Sequence, residues 1–303
     1  MGTVRFGACE FSFPCWGSVA MKMASEAGFQ GMQIADAGGY LQPHPGNNGY
    51  VEYERYGLDL RRKDSFPLLF REVQEEYLAA AEEYEIELTS VYLYTLEHQG
   101  FIKYSADTPQ GAQCRESLLN GIRAAAQMKI PTVTVAAKGM FGLAQNDYAL
   151  QSLRYAGQMA AEYGVRLAVR SDLAPEKQIE LVDALGDQVK LAFDAYAPLV
   201  YGTGDPVQQM KAAGVQRIDH IRLRDCTTDG EGFVASFDSG AALLGQGKAP
   251  FRNTVQAVKD MDYTGWIIAD TPYYHPDIKA AGESYASAAA KDIAALRTAF
   301  GMR

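Results

Sequence analysis

Short apolar runs alternate with longer segments of helical periodicity along this chain. The runs are continuous, and the segments between them carry apolar residues three and four positions apart. The pattern predicts strands at residues 4–10, 29–34, 86–93, 130–137, 165–170, 189–194, 218–225 and 265–270. It predicts helices between and after them, at residues 18–27, 66–84, 108–127, 146–163, 176–185, 205–213, 251–261 and 281–300.

The regular alternation of strand and helix indicates an α/β fold. Continuous apolar strands are typical of a parallel sheet whose two faces are both covered by helices. Eight such units close most simply into a (β/α)8 TIM barrel with parallel strands and outer helices. A doubly wound open sheet is disfavoured, because no Gly-x-Gly-x-x-Gly turn follows the first strand. We therefore predict one TIM barrel domain over residues 1–303.

One segment, residues 38–62, does not fit the alternation. It contains repeated glycines and prolines and several tyrosines, and it is too long for a plain connection. Two interpretations stay open. The segment is either a lid over the site or an insertion that packs against the barrel or against another subunit.

Composition argues against several classes of protein. The chain has 28 basic and 37 acidic residues, and a net charge of −9 disfavours nucleic-acid and anionic-membrane partners, since both need a cationic surface. The four cysteines show no CxxC spacing, as expected of reduced thiols. No apolar run approaches the ~18 residues of a membrane helix, and strand-like sequence from Thr3 leaves no room for a signal segment. We expect a cytoplasmic protein.

Charged residues close several of the predicted strands. In a TIM barrel the carboxyl ends of the strands form the active-site face. Within residues 218–225 the period of two places His220, Arg222 and Arg224 on one face of the strand. On the fifth strand Arg170 shares its parity with the small residue Ala168. The strand ends and the loops after them thus provide the candidate site residues Glu10, His98, Lys138, Arg170, Asp194, His220, Arg222, Arg224 and Asp270.

Motifs in chain order resemble those of the xylose-isomerase-like TIM barrels. They are GVRLAVR at 164–170, VKLAFD at 189–194, HIRLRD at 220–225, LLGQG at 243–247 and YTGWIIAD at 263–270. The resemblance covers nearly the whole chain and implies a sugar or sugar-phosphate isomerase, an epimerase or a related lyase. It also implies a divalent metal held by Glu, Asp, His and Glu on strands five to eight. The equivalent positions in this chain are Arg170, Asp194, Arg222 and Asp270.

Departures from that ligand set change the expected chemistry. Arginine stays protonated and cannot ligate a metal, and the family's second histidine is Ala197 here. We therefore expect no tightly bound metal and no other cofactor, with Asp194 and Asp270 as fallback ligands for a weakly bound divalent ion such as Mn or Mg. The guanidiniums would supply fixed positive charge for an anionic substrate or intermediate, assisted by Lys138 and Arg224.

Residue type assigns roles to the candidates. Asp194, Asp270 and His220 are the candidate acid–base catalysts. Substrate contacts are expected from Lys138, Arg170, Arg222, Arg224, Glu10, His98 and Trp16. We predict an isomerase or epimerase that acts on a small anionic carbohydrate by proton transfer next to a carbonyl group.

Two other functions stay open. One is a keto-sugar lyase or dehydratase, which would pass through the same type of enolate intermediate. The other is a non-catalytic barrel that binds an anionic sugar or serves as a subunit of a complex, in which Arg170–Asp194 and Arg222–Asp270 are plain structural ion pairs. A homo-oligomer is compatible with each of these functions.

Overall fold

Eight parallel strands form a closed barrel in which each strand pairs with its neighbours in chain order. The structure is a computed structural model that describes residues 3–15, 17–36, 66–93, 96, 101–137, 147–171, 173–227 and 240–302. The strands, β1 to β8, are Arg5–Cys9, Gly31–Ala35, Glu87–Tyr92, Thr132–Ala137, Arg166–Ser171, Val189–Asp194, Ile218–Leu223 and Trp266–Ala269. The ring closes through β1 and β8, where Arg5 pairs with Trp266. The predicted (β/α)8 TIM barrel is confirmed.

Helices surround the barrel and connect successive strands. In the described residues, α1 to α10 are Gly17–Ala27, Arg71–Glu83, Pro109–Gln127, Asp147–Glu162, Pro175–Leu185, Ala197–Tyr201, Pro206–Ala213, Phe251–Asp260, Pro276–Ala280 and Tyr285–Phe300. Capping residues set several of the helix starts. Thr108 accepts a hydrogen bond from the amide of Gly111 at the start of α3, and Asp205 accepts two at the start of α7.

One predicted helix is divided in the structure, another is shortened, and two short helices were not predicted. Residues 66–84 form a 3-10 turn, Pro67–Leu69, and then α2, because Phe70 between them is extended. Residues 281–300 contain α10 alone, since Gly282 adopts a φ of +80° and Ser284 caps the helix that follows. The unpredicted helices are α6, shortly after β6, and α9, shortly before α10.

Apolar packing between the strands and the helices stabilises the barrel. Every residue of β2 and β4 is buried, which explains why their sequences read as continuous apolar runs. Full burial of a large aliphatic or aromatic side chain contributes about 1.5–3 kcal/mol. Gly31 is required where β2 passes Trp266, because a Cβ atom at that position would lie 2.6 Å from the indole ring.

Some expectations fall outside the described residues. The segment 38–62, interpreted as a lid or a packing insertion, is one of them, so both interpretations stay predictions. Among the residues that are described, each helix is too short or too polar to cross a membrane.

Candidate active site

An ion pair joins the ends of β5 and β6. The Nε and Nη2 atoms of Arg170 lie 2.7 and 2.5 Å from Oδ2 of Asp194. The other carboxylate oxygen of Asp194 accepts a hydrogen bond of 2.9 Å from the backbone amide of Tyr196. Both oxygens of Asp194 are therefore occupied by donors from the protein.

A second ion pair joins the ends of β7 and β8. The Nη2 atom of Arg222 lies 2.7 Å from Oδ2 of Asp270, and the side chains are 1% and 12% exposed, respectively. The guanidinium of Arg222 also lies 5.1 Å from the ring centre of Tyr92 and 5.5 Å from that of Phe11. These aromatic faces favour a cation and hold Arg222 at the centre of the barrel.

The two ion pairs form one electrostatic unit, which we call the mouth cluster: Arg170, Asp194, Arg222 and Asp270. The register of β6 and β7 places Asp194 directly opposite Arg222. Burial raises the pKa of Asp194, but Arg170, Arg222 and the Tyr196 amide outweigh this effect and lower that pKa to about 2. Burial likewise opposes the charge of Arg222, yet Asp270 raises the pKa of Arg222 above its ordinary value. The cluster combines two guanidiniums with two carboxylates, so its formal charges sum to zero.

Several buried N–H groups at this end of the barrel lack an acceptor. In the part of the chain that the structure describes, Nε and Nη1 of Arg222 and Nε and Nη2 of Arg224 have no hydrogen-bond partner. Arg224 lies one inward-facing position beyond Arg222, and its guanidinium stacks 5.0 Å from the ring centre of Tyr196. Buried donors without acceptors are rare in folded proteins and mark a place where a ligand can supply the missing oxygen.

A thiol lies beside the acidic end of the cluster. Cys9, the last residue of β1, is fully buried, and its Sγ lies 3.5 Å from the amide oxygen of Gln33. Burial raises the pKa of Cys9 well above its ordinary value, with Asp270 acting in the same direction and Arg222 against it. The thiol therefore keeps its proton and donates it to Oε1 of Gln33. This contact could not be predicted from the sequence, because Cys9 reads as part of an apolar strand.

The donor set does not fit a tightly bound metal. No group of three or more His, Cys, Asp or Glu side chains comes together within the described ranges. At the four positions that the family resemblance equates with metal ligands, two carboxylates alternate with two guanidiniums, and each carboxylate is paired with one of these cations. A divalent ion would have to compete with this fixed positive charge at contact distance.

The hydrogen bonds of Glu10 go to residues outside the mouth cluster. Its carboxylate accepts hydrogen bonds from the amides of Gly17 (2.7 Å) and Ala35 (2.8 Å) and from the hydroxyl of Tyr77 (2.6 Å). Burial raises the pKa of Glu10, whereas these three hydrogen bonds lower it. The contacts tie β1 to α1, α2 and β2, which is a bracing role. Substrate binding by Glu10 stays a prediction that these contacts do not favour.

His220 is buried inside the barrel, below the mouth cluster. Its Nδ1 atom lies 3.0 Å from Oδ1 of Asp219, and its Nε2 atom lies 3.2 Å from the amide nitrogen of Gln33. An amide nitrogen carries only hydrogens, so Nε2 accepts and the ring proton is assigned to Nδ1, facing Asp219. These contacts hold the ring of His220 in one orientation, and its role as a catalyst stays a prediction. The polar Gln33, which stands alone in the apolar strand β2, was the overlooked signal for this network.

The structure thus brings Arg170, Asp194, Arg222 and Asp270 together and leaves Arg224 beside them. Trp16, His98 and Lys138 lie outside the described residues, so their predicted substrate contacts stay predictions. The aromatic partners Phe11 and Tyr92 were missed as site residues, because an aromatic residue near a strand end is usually a packing residue.

Comparisons with known proteins agree with this fold. The family model described as xylose isomerase-like TIM barrel matches residues 21–298. A solved structure of the IolI protein with a bound zinc atom has a TM-score of 0.71 and 13% identity, with 98% of each chain covered. D-psicose 3-epimerase from Clostridium cellulolyticum H10, solved with D-tagatose, has a TM-score of 0.69 and 13% identity, with 98% of this chain and 99% of that chain covered.

A third solved structure is similar. D-allulose 3-epimerase from Methylomonas sp., in complex with D-allulose, has a TM-score of 0.66 and 14% identity, with 98% of each chain covered. No curated protein matches the chain. At such identities the structural likeness shows the fold alone, so the chemistry has to be argued from the residues of this chain.

Proposed function

We propose, from the premise that this chain belongs to the xylose isomerase-like TIM barrel family, that it transfers a proton next to the carbonyl group of a small carbohydrate, as a sugar isomerase or epimerase does. Epimerases of psicose and allulose among the structural neighbours support a sugar as the substrate class. The observation that carries the proposal is the mouth cluster, in which acid–base groups and fixed cations meet at the carboxyl ends of β5 to β8.

Asp270 is the proposed base. Asp194 is held on both oxygens, by Arg170 and by the Tyr196 amide, and serves to position Arg170. Asp270 has a single cationic partner, Arg222, which contacts Oδ2, and its side chain keeps 12% of its surface exposed. Of the two carboxylates in the cluster, Asp270 is therefore the one that can approach a C–H bond of a substrate.

The proposed step balances as a proton transfer. Asp270 takes a proton from the carbon next to the carbonyl, and the electron pair of that C–H bond moves towards the carbonyl oxygen to give an enediolate. The unpartnered N–H groups of Arg222 stabilise the negative oxygen in a site with little water. For the isomer, Asp270 delivers its proton, which exchanges with solvent while it is held, to the neighbouring carbon, and the hydroxyl proton of that carbon passes to the former carbonyl oxygen. For the epimer, a proton from solvent reaches the same carbon from the opposite face, and Asp270 releases the proton that it took to solvent.

No step of this scheme passes through a metal ion. In the proposal the guanidinium of Arg222 polarises the carbonyl, and that of Arg170 keeps Asp194 ionised beside it. Fixed donors of this kind need no reorganisation during the reaction, which is the main source of electrostatic catalysis. The same enediolate would also precede loss of water, so a dehydratase differs from an isomerase in the leaving group of the substrate.

Hydrogen exchange with solvent tests the function. The EDTA-treated protein is incubated in D2O with a panel of ketoses, ketose phosphates and sugar acids, and deuterium next to the carbonyl is followed by NMR. We expect exchange with at least one compound and its loss, by a factor of at least about 100, in Asp270→Asn. Asp183→Asn, on the outer helix α5, is the matched control and should keep the exchange.

The other outcomes are informative. Exchange that survives in Asp270→Asn would exclude Asp270 as the base. Formation of an unsaturated or deoxy product would identify a dehydratase. Absence of exchange with the whole panel, in a protein that binds one of the compounds, would contradict the proposed activity and favour a non-catalytic sugar-binding barrel.

A further inference from the structure

Arg224 presents an unused guanidinium edge next to the mouth cluster. It follows Arg222 by two residues on the same face of the chain, a rise of about 7 Å for extended backbone. One face of its guanidinium is covered by the ring of Tyr196, 5.0 Å from the ring centre. The stacking fixes the plane of the guanidinium and leaves its edges as the binding surface.

The two unpartnered atoms of Arg224 lie on the same edge. Nε and Nη2 carry parallel N–H bonds, and both atoms are buried without an acceptor among the described residues. Two parallel donors match the two oxygens of a carboxylate or of a phosphate. Two buried donors without an acceptor destabilise the folded state. An oxyanion that accepts hydrogen bonds from both would remove this destabilisation.

Two other arginines of this chain bind a carboxylate through the same Nε and Nη2 edge. Arg170 holds Asp194 with its Nε and Nη2 atoms, and Arg217 holds Asp183 with the same two atoms at 2.7 and 2.9 Å. In both cases the acceptor is a carboxylate. Arg224 differs from these arginines in that its edge lacks such a carboxylate within the described ranges.

The carboxylate that follows Arg224 in the chain is already hydrogen-bonded to other groups. Asp225, the next residue, accepts hydrogen bonds of 2.9–3.0 Å from the backbone amides of Cys226, Gly245, Gly247 and Ala249. These contacts hold the loop after β7, and they keep the carboxylate away from the Nε and Nη2 edge of Arg224. The mouth cluster is neutral as a whole, so it offers no net charge to Arg224. The positive charge of Arg224 is left for a ligand.

We propose that Arg224 binds an oxyanion of the substrate, a carboxylate or a phosphate group, through its Nε and Nη2 edge. The inference deepens the proposed function and rests on it for the reacting end: the carbonyl lies at Arg222 and Asp270, and the anionic group lies one step further out at Arg224. The substrate class is then a sugar acid or a sugar phosphate, and a neutral sugar would leave the edge unfilled.

Calorimetric titration of the EDTA-treated protein tests the oxyanion site with defined probes. Inorganic phosphate and glycolate are titrated separately, with glycerol as the neutral probe, at low and at raised ionic strength. We expect saturable binding of at least one anion, no binding of glycerol, and an affinity about ten- to hundredfold lower in Arg224→Met. Arg224→Lys keeps the charge and loses the paired donors, so its affinity should lie between those of the wild type and Arg224→Met.

Arg217→Met is the matched control, because it removes one arginine that holds a carboxylate on the surface. It should bind the anions as the wild type does. Preference for phosphate would identify a phosphate ester as the substrate group, and preference for glycolate a carboxylate. Equal affinities in the wild type and in an Arg224→Met protein with an unchanged melting temperature would overturn the inference, as would the absence of binding of both anions.

This test separates the inference from the proposed function. Asp270→Asn should bind the anions and lose hydrogen exchange. If anions bind through Arg224 and the wild type exchanges no hydrogen, the oxyanion site stands and the isomerase proposal fails. If neutral ketoses exchange hydrogen and neither anion binds, the isomerase proposal stands and the oxyanion site fails.

Discussion

Both ends of the barrel hold arginine–aspartate pairs, but the two ends differ in whether the polar groups around each pair are all hydrogen-bonded. At the amino end of the strands, Asp219 receives Arg166 (2.7 Å) and Thr132 (3.3 Å) on one oxygen and His220 (3.0 Å) on the other. Arg166 in turn donates to the Thr132 hydroxyl at 2.9 Å. We call these four residues, together with Gln33 beneath His220, the N-terminal network. Its polar groups contact one another and form a closed unit.

The mouth cluster at the carboxyl end is an open unit. Asp194 and Asp219 have the same depressed pKa of about 2, in each case against the effect of burial. Arg170 and Arg222 lower the pKa of Asp194, and the contacts with His220 and Arg166 lower that of Asp219. The arginines differ: Arg222 and Arg224 keep buried N–H groups that no described residue accepts. A closed network of charges is explained by structure alone, whereas the open donors at the carboxyl ends of the strands are the groups that we propose to bind the substrate.

Removal of one mouth cation should have the largest effect on stability. Arg170→Met leaves the carboxylate of Asp194 buried without its ion-pair partner, which should lower the free energy of unfolding by about 3–5 kcal/mol. Urea unfolding at pH 7 measures the change. The double variant Arg170→Met with Asp194→Leu replaces the pair by apolar groups and should recover most of the loss. Equal losses in the single and double variants would show that the pair itself stabilises the fold.

Asp292 shows what a buried carboxylate does without an arginine. Burial raises its pKa to about 7, although the hydrogen bond from the Leu244 amide and the neighbouring hydroxyls of Thr271 and Tyr273 lower it. The folded state keeps this proton where the unfolded state has lost it, so stability falls as the pH rises from about 4 to 7. Asp292→Asn should remove a loss of about 2–3 kcal/mol between pH 5 and pH 8. Parallel unfolding curves of the two proteins across this range would contradict the raised pKa.

The N-terminal network should tolerate the loss of its cation better. Arg166 is nearly half exposed, and Asp219 keeps Thr132 and His220 when it is removed. Arg166→Met should therefore lower the free energy of unfolding by about 1 kcal/mol, close to the value of an exposed pair. Phosphate affinity should not change. A loss as large as that of Arg170→Met would remove the distinction between the two ends.

The sequence predicted the parts of the site that depend on strand parity. The period of two on β7 pointed to Arg222, and apolar runs ending in charge pointed to Asp194 and Asp270, all of which lie in the mouth cluster. Arg224 follows the end of β7, and its role in the site stays a prediction. The hydrogen-bond partners of the site residues could not be predicted, because they depend on the register between strands and on contacts between distant parts of the chain. The bracing of Glu10 needs Tyr77, which lies 67 residues away, and the tautomer of His220 is assigned from Gln33. Single-chain patterns carry no information about such distant contacts.

The predicted start of the last helix was wrong for a local reason. Gly282 lies within the run predicted as one helix over 281–300, and its left-handed backbone belongs to the turn before α10. The glycine was visible in the sequence, but apolar periodicity on both sides of it outweighed the turn signal.

The central claim is that Arg170 and Arg222 supply the positive charge that a metal ion supplies in relatives such as the zinc-bound IolI protein. Titration of Mn2+ followed by electron paramagnetic resonance tests it directly, in the wild type and in the double variant Arg170→Glu with Arg222→His. We predict no saturable binding at micromolar Mn2+ in the wild type and one tight site in the double variant, where the ligands Asp194 and Asp270 would gain two neighbours. Stoichiometric binding in the wild type that is lost in Asp194→Asn would contradict the claim.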